Sequence, residues 1–378
     1  MEDLDQAEIR RIAREHLSLA IGSGSPAVNR PLLRSLAERG LLPRIFPVSM
    51  GGTNPSGVSA VDLCTIREAL AMESTEAETA LAVQGLGAYP IVLAGTEEQA
   101  LRWIPEIARG ERVAAFALTE ARGGSDAAHL ELKAVPDGDG WRLTGEKKWI
   151  SNAPNADLYT VFARTTEGVG ARGITAFLVE GDARGVGGTG LQLLTSHPVG
   201  TLTLDGAYVP ADQVIGPLDQ GFRVAMGTLD LFRPSVGAFA VGMARAALEA
   251  AIDYAHRRTA FGRPIGDFQA ISHLLAEMAT KTEAARLLVF EAARIYDEGR
   301  QSEITMRSTM AKLYATEVAQ EVVDAAVQVH GAVALEEGHL LSHLYREVRA
   351  PRIYEGTSEI QREVIARELR RWAQETPG

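Results

Sequence analysis

The sequence predicts an α+β multidomain fold with an N-terminal α-helical domain, a central antiparallel β-domain and a C-terminal four-helix bundle. Three observations predict it: apolar residues at helical spacing over residues 1–112, short β-branched and aromatic runs over 113–215, and long Ala-rich helical patterns over 216–378. We expect these ranges to be the domains, since 378 residues are enough for two or three.

The N-terminal range is predicted to be helical because its apolar residues recur three and four positions apart. The pattern is clearest in "RPLLRSLAERGLL" and "AVDLCTIREALAMES". The only cysteine, Cys64, lies in the second segment, so we expect a buried core thiol and no intramolecular disulfide.

The central range contains short runs such as "LYTVFART" and "ITAFLVEG". Gly and Asp turns separate such runs about every 8 to 12 residues, which predicts an antiparallel sheet or barrel and not alternating strands and helices. The last range contains long helical patterns such as "SVGAFAVGMARAALEAAIDYAHRR", which are typical of a helix bundle.

Composition excludes several classes of protein. The net charge of −11 argues against a nucleic-acid binder, because phosphate backbones require clustered Lys and Arg. The eight histidines show no metal-ligand spacing, so no metal site is expected. We find no signal core and no apolar run of about 18 to 20 residues, and therefore expect a cytoplasmic protein without a membrane span.

Two stretches match Gly-x-Gly-x-x-Gly, at residues 168–173 and 185–190. A dinucleotide-binding loop needs a strand before it and a helix after it, whereas each of these is followed by a strand-like run. We predict that both are hairpin loops. Ser125 lacks the Gly-x-Ser-x-Gly context of a hydrolase nucleophile.

Four other stretches combine residues suited to chemistry. "FALTEARGGSD" ends a strand in a turn whose N–H groups and Ser125 hydroxyl could bind an anion such as a phosphate. "EKKWISN" places Trp149 two residues before Ser151, hence on the same face of a strand. "HRRTAFGRPIGDFQ" is a local basic site around Arg258 in an acidic protein.

The fourth stretch, "RIYEGTSEIQRE", places Glu355 between an aromatic residue and a glycine, just ahead of a predicted helix. Ser358 and Gln361 have the spacing of a capping box, so the helix is expected to begin at Ser358. Taken singly, each stretch has a commoner structural explanation: a tight turn, a packed tryptophan, a solvated helix end and a loop acid.

Together and in order, the four stretches resemble the signature regions of the acyl-CoA dehydrogenase family of flavoproteins, over essentially the whole chain. "TEARGGSD" resembles the family's Thr-Glu-Pro-x-x-Gly-Ser-Asp, and "KKWISN" resembles its Trp-Ile-Thr/Ser-Asn. "RRTAFGRPI" with the downstream "FQ" resembles its Arg-x-x-Phe-Gly motif, and "YEGTSEIQR" resembles its C-terminal motif. The family's helix, sheet and four-helix-bundle architecture matches the fold predicted above.

The resemblance implies FAD as the cofactor. Trp149 would pack against the isoalloxazine ring and Ser151 would hydrogen-bond near flavin N5, while the contacts from the last domain would come partly from a neighbouring subunit of a homotetramer or homodimer. The implied FAD contacts are Phe116, Leu118, Thr119, Ser125, Trp149, Ser151, Arg258, Phe261, Gln269, Gln328, Gly331, Thr357 and Glu359.

The resemblance also implies the reaction. Glu355 matches the family's catalytic base, which would remove the α-proton of an acyl-CoA thioester while the β-hydrogen passes as hydride to flavin N5, giving the trans-2-enoyl thioester. Desolvation would raise the pKa of this base toward the working pH. The substrate-side positions are Ser125, Asp230, Arg233 and Gly356. Some family members place the base immediately before the arginine that Arg233 matches, but Phe232 occupies that position here.

Two positions depart from the family pattern: Ala121 replaces the usual Pro, and Ala332 replaces the second Gly of Gln-x-x-Gly-Gly. Neither touches the implied chemistry. The implied electron acceptor is a separate electron-transfer flavoprotein. The alternatives are a relative that acts on carrier-protein-bound acyl chains or works as an oxidase, and a catalytically silent flavin-binding subunit; the retention of Glu355 and Arg233 counts against silence.

Overall fold

The computed structural model describes residues 5–17, 27–55, 57–168, 170–195 and 197–375. It has an N-terminal helical domain, a central, mostly antiparallel sheet domain and a C-terminal helical domain, which confirms the predicted fold class. The α-helices are α1 (Gln6–Ile12), α2 (Arg30–Glu38), α3 (Leu41–Arg44), α4 (Ala60–Ala71), α5 (Thr75–Ala94), α6 (Glu97–Ala108), α7 (Gly221–Arg257), α8 (Gln269–Asp297), α9 (Gln301–His330), α10 (Leu340–Glu347) and α11 (Ser358–Glu375). The strands are β1 (Ala114–Ala117), β2 (Lys133–Asp137), β3 (Gly140–Ser151), β4 (Leu158–Arg164), β5 (Ile174–Glu180), β6 (Val186–Gly187), β7 (Gly190–Leu191), β8 (Val199–Pro210), β9 (Val214–Ile215), β10 (Thr259–Ala260) and β11 (Arg263–Pro264).

The chain folds into two compact units. The first, here called the helical unit, comprises Met1–Ser23, Ser59–Glu78 and Asp230–Gly378. The second, the sheet unit, comprises Gly24–Val58 and Thr79–Leu229. Because the division falls inside α5 and α7, it does not follow the three predicted ranges, whose boundaries stay a prediction.

Glycines let the helices of the helical unit pack closely. A Cβ on Gly237 of α7 would lie 2.7 Å from Cγ2 of Val289 on α8, and one on Gly242 would lie 2.4 Å from the backbone oxygen of Glu68 on α4. Both distances are shorter than a methyl group tolerates. Glycine is therefore required where α7 packs against α8 and α4.

A single buried carboxylate joins four helices of this unit. Glu68 on α4 accepts hydrogen bonds from Gln6 at 2.8 Å, Arg245 at 2.5 Å and Arg286 at 2.9 Å. These donors lie on α1, α7 and α8, so the charge-assisted bonds of one side chain tie the elements together. Cys64, on the same helix, is buried as predicted, and burial raises the pKa of its thiol.

Two of the described helices, α5 and α7, are long and apolar enough by composition to cross a membrane. In these helices 67% and 72% of the most apolar window is buried inside the protein. Burial of that extent is typical of helices in the core of a folded domain. The absence of a membrane span stays an expectation.

The sheet of the sheet unit has the strand order β6-β8-β3-β2-β4-β5-β9, with β1 paired to β4 and β7 to β8. Its pairs are antiparallel except that β4 is parallel to β1 and to β2. The antiparallel prediction is thus confirmed for most of the sheet. The β1 pairing differs because β2 and β3 intervene in sequence, so no tight hairpin forces β1 and β4 to run in opposite directions.

The two glycine-rich stretches have different structures. Residues 168 and 170–173 connect the antiparallel strands β4 and β5, which confirms a hairpin loop there, while Val169 lies outside the described residues. The hairpin prediction for residues 185–190 is wrong. That stretch contains β6 and the start of β7, and both pair with β8.

Candidate active site

The loop before α11 holds Glu355 in an uncommon backbone conformation. Glu355 has a φ of +52° and Gly356 a φ of +95°, in the left-handed region that favours glycine. Helix α11 begins at Ser358, as predicted, so Glu355 lies on the approach loop. Such a conformation costs a non-glycine residue on the order of 1–3 kcal/mol and persists only when its surroundings fix it.

The predicted capping box of Ser358 and Gln361 is wrong. The hydroxyl that caps the helix belongs to Thr357, whose Oγ1 accepts from the N–H of Ile360 at 3.3 Å. The Ser358 hydroxyl donates instead to Glu317 on α9, at 2.5 Å. Two hydroxyl residues stood in succession, and the tertiary contact to Glu317 decided which of them caps the helix.

Gln361 fixes the backbone of the loop. Its side-chain amide donates to the carbonyl of Glu355 at 3.0 Å and to the carbonyl of Gly356 at 3.1 Å. A Cβ on Gly356 would lie 2.4 Å from that amide nitrogen. The positive φ therefore favours glycine here, and a Cβ would also displace the end of the Gln361 side chain. The predicted role of Gly356 in admitting a thioester stays a prediction.

Lys312 on α9 holds the same loop from a second side. Its ammonium is buried and donates to the Gly356 carbonyl at 2.6 Å. Burial lowers the pKa of Lys312 to about 8. One backbone carbonyl thus accepts from both Lys312 and Gln361.

The Glu355 carboxylate is desolvated. Its Oε2 atom is buried and accepts no hydrogen bond from the residues that the structure describes. Burial raises the pKa of Glu355, against the lowering effect of the positive charges of Arg67, Lys312 and Arg233. A buried carboxylate with an unoccupied oxygen and a raised pKa is suited to accept a proton.

Arg67 on α4 is a buried cation near Glu355 that the sequence did not predict. Its Nε donates to Glu78 on α5, and its Nη1 donates to the Ser235 hydroxyl on α7 at 2.5 Å. Burial raises the pKa of Tyr354 well above its usual value, and the negative charge of Glu78 raises it further. The Tyr354 phenol therefore stays protonated beside the base.

Asp230 and Arg233 form a second buried ion pair, one turn apart on α7. Arg233 Nη1 donates to Asp230 at 3.2 Å, and the Thr305 hydroxyl donates to the same carboxylate at 3.1 Å. Burial lowers the pKa of Arg233 and raises that of Asp230. The structure thus brings the predicted substrate-side residues Asp230, Arg233 and Gly356 to the surroundings of Glu355, and Phe232 is buried beside them.

The other predicted FAD contacts of the helical unit are exposed, except Thr357. Phe261 and Gly262 are the two-residue turn between β10 and β11, both with positive φ, and Phe261 is 95% exposed. Arg258 and Gln269 flank this hairpin. Glu359 is also exposed, and Thr357 is half-buried.

The ends of α7 and α9 bring a second group of predicted contacts together. The His330 ring stacks on Tyr254 at 4.3 Å between centroids, which places Gln328 and Gly331 at the same end of the helices as Arg258. About 25 residues of helix separate Arg233 from Arg258, roughly 37 Å at the rise of an α-helix. The structure therefore does not bring this group to the base within one chain.

In the sheet unit, the first two motifs meet. Phe116 lies on β1 and its ring is 4.9 Å from that of Phe162. The carbonyl of Leu118 accepts from the buried ammonium of Lys147 at 3.0 Å, and the carbonyl of Thr119 accepts from the N–H of Lys148 at 2.9 Å. Residues 116–119 therefore lie against the end of β3 that leads to Trp149.

Trp149 and Ser151 lie beside an irregularity that the sequence did not predict. The register of β3 against β8 shifts between Lys147 and Ile150, and Trp149 has a φ of +56°. The expectation that Trp149 and Ser151 share a face assumed regular alternation, which this bulge interrupts. Trp149 is 47% exposed, with the Lys148 ammonium 5.4 Å from its ring centroid, whereas Ser151 is half-buried.

Ser125 lies in an exposed turn. The turn begins where the N–H of Gly123 donates to the carbonyl of Glu120 at 3.2 Å. Glu120 is buried and accepts from the Lys147 ammonium at 2.7 Å. This ion pair, which the sequence did not predict, anchors the start of the turn to β3.

Two missed residues had a signal in the sequence. Lys312 occupies a position on the buried face of α9, in line with Thr309, Thr316 and Ala319. Arg67 lies in a helix whose residues 63–71 are all buried. In both cases a positively charged residue stands on the face of the helix that is otherwise buried, and this position could have predicted a buried cation from the sequence.

Comparison with known proteins finds a match over nearly the whole chain. Family models of the acyl-CoA dehydrogenase N-terminal, middle and C-terminal domains match residues 3–111, 115–205 and 219–370. Cyclohexane-1-carbonyl-CoA dehydrogenase of Geobacter metallireducens is 34% identical, with 96% of this chain and 95% of that protein covered. The caffeyl-CoA reductase-Etf complex subunit CarC of Acetobacterium woodii is 38% identical, with 89% and 88% covered. The solved structure of butyryl-CoA dehydrogenase from Megasphaera elsdenii matches with a TM-score of 0.91 at 32% identity, over 98% of this chain and 99% of that chain.

Proposed function

Because this chain belongs to the acyl-CoA dehydrogenase family of oxidoreductases, we propose that it is an FAD-dependent dehydrogenase that converts an acyl-CoA thioester into the trans-2-enoyl thioester. The observation that supports it most directly is Glu355: a desolvated carboxylate in a strained loop, whose buried Oε2 accepts no hydrogen bond from the residues that the structure describes. No other residue at the family's base positions can accept a proton, because the alternative position is Phe232.

Glu355 would remove the α-proton of the thioester. That proton is very weakly acidic, so the base must be desolvated enough to have a raised pKa and must be held still. Burial supplies the first condition. The hydrogen bonds from Lys312 and Gln361 to the adjoining carbonyls supply the second.

FAD is the proposed cofactor, and the residues present fit it. The half-exposed indole of Trp149 offers a flat apolar surface, and the exposed turn at Ser125 offers hydroxyl and N–H donors to phosphate. Residues 116–119 would contribute to the same contacts. Bound FAD would supply the acceptor for the β-hydrogen as hydride.

The exposed group at the far end of the bundle is proposed to serve FAD in an assembly. Phe261, Arg258 and Gln269 lie on or beside a hairpin whose aromatic tip is almost entirely exposed in the single chain. In an assembly, the exposed phenyl ring, Arg258 and Gln269 would offer apolar, charged and polar contacts to FAD bound at a subunit interface. We propose a homotetramer or homodimer in the cytoplasm, with a separate electron-transfer flavoprotein as the acceptor of electrons.

Reduction of an enoyl thioester is the second candidate. Relatives of similar identity include the caffeyl-CoA reductase subunit of Acetobacterium woodii. In that direction Glu355, with its raised pKa, would donate the proton that it accepts in dehydrogenation. Carrier-bound acyl chains and oxidase activity stay open as variants of the same chemistry.

Anaerobic titration of the purified protein with acyl-CoA and acyl-carrier substrates tests the proposal. Dehydrogenation bleaches the flavin absorbance. An absence of bleaching by every acyl substrate, with oxidation of the chemically reduced protein by enoyl-CoA, would favour the reductase. An absence of both would exclude the proposed function.

Glu355→Gln is the matched test of the base. We expect flavin reduction to slow by about 10²- to 10⁴-fold, the usual contribution of a general base. The content of bound FAD should not change. Glu363→Gln, an exposed change on α11, is the control and should reduce flavin at the wild-type rate. Wild-type rates in Glu355→Gln would contradict the assignment.

A further inference from the structure

We propose that Lys312 is a positioning residue for the base: its ammonium fixes the backbone of the Glu355 loop and is the counter-charge that keeps the Glu355 carboxylate ionised. The inference rests on the proposed role of Glu355. It adds Lys312, a residue in the middle of α9 that belongs to none of the sequence motifs, to the site.

The position of Lys312 fits the first part of this role. Its Nζ is 2.6 Å from the carbonyl of Gly356, and its side chain is fully buried. Glu355 and Gly356 both have positive φ, so the loop needs external contacts to stay in this conformation. The bond from an ammonium is stronger than the bond from the neutral amide of Gln361 to the same carbonyl.

The distribution of charge around Glu355 fits the role of Lys312 as a counter-charge. Of the three cations that act on Glu355, Arg67 is paired with Glu78 and Arg233 is paired with Asp230. Lys312 forms no ion pair with a carboxylate in the described ranges, and Glu355 is the charge that favours its protonated form most. Arg67 lowers the pKa of Glu355 most, but in the described ranges Lys312 is the one of the three cations without a carboxylate partner of its own.

Among the cations Arg67, Arg233 and Lys312 and their nearest carboxylates, the charges cancel when Glu355 is ionised. Three cations stand against the three carboxylates of Glu355, Glu78 and Asp230. Other titratable groups of the packed elements complete the surroundings of the loop. They are Glu317 on α9, which is bound by Ser358 and Arg352, Glu347 on α10, Glu359 on α11, and Tyr354.

This arrangement predicts two limits to the pH range of the base. Burial raises the pKa of Glu355, so the carboxylate forms as pH rises through that value. Burial lowers the pKa of Lys312 to about 8, so its charge is lost as pH rises through about 8. Glu355 and Lys312 are both charged between the two limits. Without the Lys312 charge, the acid limit moves to higher pH and the limit near pH 8 disappears.

Lys312→Met and Gln361→Met are the matched variants. The first removes a hydrogen bond and a charge while keeping the apolar stem, and the second removes only neutral hydrogen bonds to the same loop. The readout is α-proton exchange in D2O, by mass spectrometry, on a CoA thioester without β-hydrogens such as 3,3-dimethylbutyryl-CoA. No hydride can leave this thioester, so exchange measures the base alone.

We expect Lys312→Met to move the acid limit of exchange upward by about one pH unit, which is a tenfold loss of rate below that limit. Its limit near pH 8 should be absent. Gln361→Met should slow exchange with both limits unchanged. FAD content and melting temperature, measured in parallel, report on folding.

Lys312→Arg keeps the charge at every pH and covers the case in which Lys312→Met does not fold. It should keep the acid limit and lose the limit near pH 8. Wild-type limits in the variants that fold would overturn the role of Lys312, even if wild type bleaches its flavin and Glu355→Gln does not. If wild type neither bleaches nor exchanges, the proposed function itself fails.

Discussion

Gly356 is the residue whose substitution should disturb the base loop most directly. Gly356→Ala places a side chain at a φ of +95° and a Cβ at 2.4 Å from the Gln361 amide. We expect the free energy of unfolding to fall by about 1–3 kcal/mol, as for other strained backbone positions. Urea unfolding, followed by far-UV circular dichroism, measures it.

The double change Gly356→Ala with Gln361→Ala separates the two causes. It removes the close contact with the amide but leaves alanine at positive φ. Compared with Gln361→Ala alone, which already lacks the two hydrogen bonds to the loop, the added alanine at position 356 should cost less than it does in wild type, because only the backbone term remains. A Gly356→Ala protein that unfolds at the wild-type urea concentration would contradict both causes.

The residues of the site were predictable where they belong to a local motif. Glu355 and Gly356 lie together in "YEGTSEIQR", and their loop could be placed before a helix from sequence spacing. Arg67, Glu78 and Lys312 lie on other helices and reach the base only through tertiary packing. Spacing within one helix shows that such a side chain is buried, but not which group it meets.

At the scale of elements, loss of the Glu68 carboxylate should weaken contacts among the largest number of helices. It bonds to donors on α1, α7 and α8 from its place on α4. We expect Glu68→Gln to lower the free energy of unfolding by about 3 kcal/mol, the low end for a broken buried ion pair, since its arginine partners are partly exposed. Denaturant unfolding measures it.

Arg245→Met is the control for Glu68. It removes one of the two arginines and leaves Arg286 in contact with the carboxylate. The loss should be smaller than in Glu68→Gln. Equal losses in the two variants would mean that the carboxylate does not join the helices as a unit.

Elements were predicted well where one pattern of apolar residues extends over many positions. The long helices α7, α8 and α9 and the alternating strands follow from periodicity alone. The errors lie at short range: Thr357 took the capping position from Ser358, and residues 185–190 pair with β8. In each, a tertiary hydrogen bond outweighed a local preference of similar size.

At the scale of the whole molecule, the base is expected to lower the stability of the protein. Burial raises the pKa of Glu355 above its unfolded value, so its contribution to stability is present at acid pH and is lost as pH rises through the folded value. At neutral pH, Glu355→Gln should therefore melt at a higher temperature than wild type. The difference should vanish at acid pH, and an equal melting temperature at neutral pH would contradict the burial.

The whole-molecule architecture was predictable as an order of domains but not as compact units. Composition and periodicity separate helix, sheet and helix along the chain. They do not show that residues 59–78 pack with the helices after residue 230, because that contact is remote in sequence. The bulge at Trp149 is of the same kind, since it depends on the register against β8.

The burial of Cys64 gives the molecule an internal reporter. It is the only thiol in the sequence, and it lies on α4 one turn before Arg67 and Glu68. A thiol reagent can reach Cys64 only when α4 opens, so the rate of thiol modification measures local opening of that helix. A ligand that closes the site around Glu355 would slow modification of the Cys64 thiol. Binding could then be followed without any colour change of a cofactor.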